Sequence, residues 1–147
     1  MECGTGSGVF SERLSINESY KLPDECTVFQ AEIFGVYKAA EISLEYKVHD
    51  KDIRICVDIQ AALKALNSVK VNSYLVKICI GKLNNLSQGN RVILCWVPGH
   101  EGNEGNEAAD GLARKGSENG VRVDPKLPIG HFRNLITSRT EHLTAHR

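Results

Sequence analysis

Long apolar runs and any excess of one charge are missing from this sequence, and aromatic residues are few. No stretch reaches the ~18 uninterrupted apolar residues that a membrane-spanning helix needs. The opening segment, with Glu2 followed by Gly4, Thr5, Gly6, Ser7 and Gly8, lacks the apolar centre of a signal peptide. Aromatic side chains make up only 6% of the chain, and 18 Lys+Arg balance 18 Asp+Glu. No overall field therefore draws in nucleic acid or a membrane surface, and any such contact needs a local patch. The five cysteines (Cys3, Cys26, Cys56, Cys79 and Cys95) include no C-x-x-C pair. Odd in number and widely spaced, they give neither a zinc knuckle nor a disulfide framework and read as reduced thiols, mostly core filler. The expectation is a soluble intracellular protein with no membrane partner, its compartment (cytoplasm or nucleus) undetermined. No internal repeat and no low-complexity tract is present.

What the sequence does contain suits one core: 147 residues, 41% hydrophobic and 24% charged. Residues 4–10 and the even spacing of Leu14, Ile16, Tyr20 and Leu22 predict a β-hairpin turning near Ser11, Glu12 and Arg13. Thr27 with Gln30 matches a capping box opening a helix that should run to about Leu44. Ile53, Ile55 and Val57 form a short β-branched strand ending at Asp58, and Ala61 to Leu66 supply a helix directly after it. Asn72 or Ser73 caps a second helix carrying Leu75, Val76, Cys79, Leu83 and Leu86, and Gly89-Asn90 turns the chain. Arg91 to Val97 reads as a buried strand stopped by Pro98-Gly99. Asn106 caps a last core helix that packs Ala109, Leu112 and Ala113 inward and stops at Gly116. The domain is thus drawn as 1–117, with 118–147 a linker and a marginal C-terminal helix. Val57, Ile55, Ile93, Leu94, Leu63 and Leu112 are the expected core, because parallel central strands are covered on both faces.

Such an α/β sheet binds ligands at the carboxyl ends of its parallel strands, where Asp58 sits. His100 and Asp110 follow the second such strand, and Glu32 lies in the second turn of the first long helix. Three acids and a histidine that converge would suit a hydrolytic magnesium site, since hard divalent cations take oxygen ligands. Each residue also has an ordinary alternative. Glu32 fits a solvated helix face, Asp58 a helix cap, Asp110 an i,i+4 partner for Arg114, and His100 a plain loop position.

The order of the set, and its glycines, bring a resemblance. The stretch from Val97 to Arg114, with His100, Gly102, Gly105 and Asp110, resembles the last signature of type 1 ribonuclease H domains, particularly those of non-LTR retrotransposon polyproteins. Gln30-Ala31-Glu32 is similar to the segment bearing that family's second catalytic acid, and Val57 to Leu63 to the one bearing the third. The likeness covers roughly residues 3–117, including the Gly-rich opening. It implies an α/β ribonuclease H-like fold, a mixed β-sheet flanked by helices. The implied activity is hydrolysis of the RNA strand of RNA·DNA hybrids by two-metal-ion catalysis with Mg²⁺, or Mn²⁺ in its place. Glu32, Asp58 and Asp110 would bind metal as catalytic residues, and His100 would sit on a loop that assists proton transfer or product release. An upstream reverse transcriptase domain of a parent polyprotein is the implied protein partner.

Two departures stand out. The family's first catalytic Asp lies on a first strand just before the Gly-rich stretch, so here it would fall upstream of Met1, and Glu2 is no substitute for it. Ile59 replaces the Ser that often follows the third acid in retroelement relatives. In the family the missing strand is central, between the hairpin and Ile53–Val57. Without it the hairpin pairs directly with that strand, or the sheet is open, or the chain is an N-terminally truncated fragment of a longer product. A catalytically impaired nucleic-acid-binding remnant is the alternative function, and a general interaction domain a third.

For substrate binding, the resemblance places Gly4 and Gly6, with Gly8, where backbone approaches the duplex, and Thr5 and Ser7 where hydroxyls donate to it. Lys64, Lys70, Lys77 and Lys82 form no clustered basic loop between Asp58 and Arg91, so binding by the isolated domain should be weak. The tail adds a mild positive excess through Arg122, Lys126, Arg133, Arg139 and Arg147. His142 and His146 have zinc-like spacing but no third ligand nearby.

Overall fold

The computed structural model describes residues 5–68, 73–98 and 104–122. Their order is β1 (Gly6–Ser11), β2 (Ile16–Lys21), α1 (Val28–Glu45), β3 (Asp52–Val57), α2 (Gln60–Leu66), α3 (Tyr74–Ser87), β4 (Arg91–Trp96), α4 (Glu104–Asn119) and β5 (Val121–Arg122). The predicted marginal helix and the His142/His146 pair lie outside the described residues, as do Gly4 and His100.

The hairpin forms as its pattern predicts, with Gly6 facing Lys21 and Ser11 facing Ile16. Its turn falls slightly later than the sequence suggests, on Glu12 to Ser15. The Ser15 N–H donates to the Glu12 carbonyl, and Ser15 takes a positive φ of 54° that closes the loop. Thr27 and Gln30 complete the capping box: the Gln30 N–H donates to Thr27 Oγ1 at 3.1 Å and the Thr27 N–H to Gln30 Oε1 at 2.7 Å. Of the two candidate caps for α3, Ser73 is the one used, its hydroxyl accepting from the Val76 N–H. Asn90 ties the turn before β4 to the approach to β3, accepting from the Lys51 N–H and donating to the Val48 and Leu86 carbonyls.

The sheet is open. Among the described residues, β1, β2 and β5 make one three-stranded sheet and β3 and β4 a separate two-stranded one. Of the arrangements left open above, direct pairing of the hairpin with Ile53–Val57 is therefore not the one adopted. Instead β1 and β3 face each other across a groove of about 250 Å³. α1 spans both halves, packing on β1, on β3 and on α3. It buries Phe29, Ile33, Phe34, Val36, Tyr37 and Ala40 and turns its small residues Ala31, Gly35 and Ala39 toward the groove.

α4 closes the groove from the other side by lying unusually near β1 and β2. A Cβ on Gly8 would stand 2.4 Å from the Ala109 carbonyl oxygen and 2.6 Å from the Ala113 nitrogen, and one on Gly6 would strike the Ala113 carbonyl and the Ser117 nitrogen. The Ser19 hydroxyl donates to the Leu112 carbonyl at 2.9 Å. This contact revises the reading of the helix ends. Gly116 lies inside α4, where a Cβ would stand 2.5 Å from the Tyr20 carbonyl oxygen, so it serves close approach rather than termination. The helix begins at Glu104 rather than after Asn106 and continues past the drawn boundary at 117 to Asn119. Residues 121–122 then pair in parallel with β2.

Two of the six residues of the predicted core are buried. Val57 and Ile55 are buried, but Ile93, Leu94, Leu63 and Leu112 are only half-buried. α2 and α3 pack on β4, but α4 sits on β1 and β2 rather than on the second sheet, so β3 and β4 are not sealed on both faces. The deepest core lies around α1 and α3, in Phe34, Leu22, Ile33, Leu75 and Leu86.

Glycine's role at the α4 contact gives a paired test. Gly8→Val should destabilise the domain by at least about 3 kcal/mol, because a side chain there meets backbone that cannot yield by rotamer change. Gly81→Ala, on α3 with nothing within 4 Å of the added atom, should instead stabilise by about 0.5–1 kcal/mol. Urea denaturation followed by circular dichroism reads both.

Candidate active site

One end of the groove collects the acids. β3 ends at Val57, and Asp58 follows immediately, with the Val97 N–H donating to the Val57 carbonyl at 2.8 Å and keeping the strand ends aligned. The Trp96 Nε1–H donates to the Asp58 carbonyl at 3.3 Å, bracing the backbone from the neighbouring strand. Asp58 is not a helix cap: the N-cap of α2 is Ile59, with no side-chain capping bond. The Asp58 carboxylate lines the groove, and its Oδ1 atom is fully buried.

Glu32 is placed by α1. The capping box fixes the start of the helix, and Glu32 then lies on the same side as Ala31, Gly35 and Val36, facing the groove instead of solvent. Its carboxylate accepts a hydrogen bond from the Asp58 backbone N–H. Burial pushes its pKa up to about 8, with the negative charge of Asp58 and then that of Asp110 adding to the rise against the lowering effect of that bond. The reading of Glu32 as a solvated helix residue therefore fails.

Asp110 reaches the groove from α4. It also pairs with Arg114 at 3.7 Å, one turn along the helix, so its ordinary role is real as well. Three carboxylates, from α1, from the residue after β3 and from α4, thus line one cavity, and Glu32 feels the charge of the other two. Their donor set, three carboxyl groups offering only oxygen, is the kind that hard divalent cations take, and a bound cation would oppose the burial and repulsion that raise the Glu32 pKa. Among the described residues, however, no group of three His, Cys, Asp or Glu side chains stands close enough to hold one ion. β1 and β3 are held apart across the groove, so the acids converge on a space rather than on a point.

Among the residues expected to contact a duplex, Thr5, Gly6, Ser7 and Gly8 are described. The Ser7 side chain is buried, its hydroxyl donating to the Ala31 carbonyl at 2.9 Å. Thr5 donates to the Cys26 carbonyl at 2.8 Å. Gly6 and Gly8 let α4 approach closely. Within the described residues, Gly6 to Gly8 pack β1 against α4 and α1. Trp96, 44% exposed, is a site neighbour that the sequence reading treated only as strand; its position directly before the Val97-Pro98-Gly99-His100 stretch was the available signal.

Residues 2–118 match the family model described as RNase H. A match over that much of the chain is decisive, and the chain belongs to the RNase H family. It is also similar to a protein named Ribonuclease H from Hyphomonas neptunium (strain ATCC 15444), 74% identical over 23 residues, which is 16% of this chain and 15% of that protein's length. The mixed sheets and covering helices are those of the RNase H-like α/β fold. The family's members bind and cleave RNA·DNA hybrids and generally use divalent metal ions.

The raised pKa of Glu32 has a consequence for stability. Its carboxyl binds a proton more tightly when folded than when unfolded, so the contribution is fully present below the unfolded pKa near 4.5 and is lost as pH rises through about 8. Without added cation, wild-type stability attributable to this group should fall between pH 5 and 8, and Glu32→Gln should flatten that slope. Urea midpoints measured in chelator across the range check this.

Proposed function

We propose that this chain is an RNA·DNA hybrid endoribonuclease domain of retroelement origin, hydrolysing the RNA strand with divalent cations bound by Glu32, Asp58 and Asp110. The observation that supports the reading most is the meeting of these three acids on one groove, in a chain whose residues 2–118 match the RNase H family. Magnesium is the proposed ion, with manganese as a substitute. Glu32, Asp58 and Asp110 would hold the ions, whose chemistry when bound would be Lewis-acid polarisation of the phosphodiester. The residues of the chain do the positioning. The Asp58 N–H orients the Glu32 carboxylate, Arg114 holds Asp110, and the Trp96 indole steadies the Asp58 backbone. His100 is assigned proton transfer or product release. The proposed setting is a polyprotein with an upstream reverse transcriptase domain, acting inside the cell in cytoplasm or nucleus. No helix among the described residues is long and apolar enough to cross a membrane.

One observation favours a second reading, a domain that binds hybrid but does not cut. The described acids form no cluster able to hold an ion, and a fourth carboxylate on a strand between β1 and β3 would tighten the set. Two cations side by side repel unless several carboxylates neutralise them.

The deciding experiment incubates the purified chain, and a version extended upstream with the family's Asp-bearing strand, with a labelled RNA·DNA hybrid and Mg²⁺ or Mn²⁺. The extended version should cleave far faster and melt at a higher temperature, since its strand would bond to both open edges. Asp58→Asn in that background should lower the rate by at least about a hundredfold, the scale of removing one electrostatic contact from a transition state. Strong magnesium-dependent cleavage by the unextended chain would show that three acids suffice. Hybrid binding without cleavage by either version would establish the second reading.

A further inference from the structure

Cys56 and Cys95 lie outside every role assigned so far. β3 and β4 run parallel with Cys56 directly opposite Cys95, and facing residues of a ladder project from the same side of the sheet. Strands spaced by ~4.8 Å bring facing Cα atoms within the roughly 4.4–6.8 Å window of a disulfide. The two thiols are free and close enough to interact. Ile55 and Val57 point into the core on either side of Cys56, so Cys56 itself faces outward and is exposed, while Cys95 is half-buried. Cys26 and Cys79, in contrast, are buried. Among the described residues β4 pairs only with β3, so β4 is free to tilt by the small amount that drawing the two Cβ atoms together requires, with no second ladder to break.

We propose that Cys56 and Cys95 form an oxidative modification site, converted by a hydroperoxide to a cross-strand disulfide beside the acidic end of the groove. The exposed Cys56 sulfur attacks the peroxide, the O–O bond breaks, and Cys56 becomes a sulfenic acid as one water (or alcohol) leaves. The Cys95 sulfur then attacks that sulfenyl sulfur, the S–S bond forms, the S–O bond breaks and a second water leaves. Both thiol protons end in the departing molecules, and two electrons pass from the pair to the peroxide. The product pins β3 to β4 two residues before Asp58 and next to Trp96, whose indole bonds to the Asp58 carbonyl. The site does not depend on whether the chain cleaves hybrids.

The test uses the whole reduced chain and hydrogen peroxide. Intact mass should fall by two hydrogen atoms, and trypsin should release residues 55–64 joined to residues 92–114. Trp96 is the single tryptophan; its fluorescence should drop as the neighbouring disulfide quenches it and recover with a dithiol reductant. Phenylarsine oxide, which bridges adjacent thiols, should bind one equivalent to the reduced protein and block oxidation. Cys56→Ser and Cys95→Ser should each lose the cross-link and the arsenical binding. Oxygen adducts on Cys56 without the joined peptides, a disulfide through any other cysteine, or no arsenical binding by the wild type would overturn the proposal. The wild-type measurements decide it even if a variant fails to fold.

Discussion

Two strand edges that face each other without bonding govern the rest of this structure. β1 turns one edge to β2 and β3 turns one to β4; the opposite edges look across the groove. Buried backbone donors and acceptors are costly when unpaired, so the groove persists only as an open, water-accessible cleft. The halves are held around it by helices rather than by a continuous ladder. α1 supplies the joint through its large apolar residues, and α4 clamps the far face of the hairpin through glycine-mediated contact of backbone on backbone.

The chemistry of the groove follows from that constraint. Glu32, Asp58 and Asp110 come from α1, β3 and α4, which are the three elements that meet at one end of the cleft. The groove buries Glu32, which raises its pKa with the charges of Asp58 and Asp110 adding to the rise, yet the described acids do not close into a metal-holding cluster. The same end holds the Trp96 bond to Asp58 and the adjacent Cys56 and Cys95, so the β3–β4 ladder connects the acids to a pair of oxidisable thiols.

Much of the fold is legible from local pattern. The capping box at Thr27 and Gln30, the alternation in the hairpin and the β-branched run before Asp58 each act over a few residues, and each element forms where its pattern places it. The failures are contacts between elements. Gly116 has the composition of a stop, but the helix runs on because that glycine is needed against Tyr20. Ile93 and Leu94 have the composition of a doubly covered strand, but α4 covers the other sheet.

What the sequence determined by itself was most of the elements, β1 to α4 but not β5, since helix capping and strand alternation are written in neighbouring residues. Only the tertiary structure decided that the described strands form two separate sheets, that Gly6 and Gly8 pack against α4, and that Cys56 meets Cys95. These outcomes depend on which edges and faces come together over long separations in the chain. Pairing across such distances is fixed by the balance of packing and backbone bonding in the whole fold, which no local window contains.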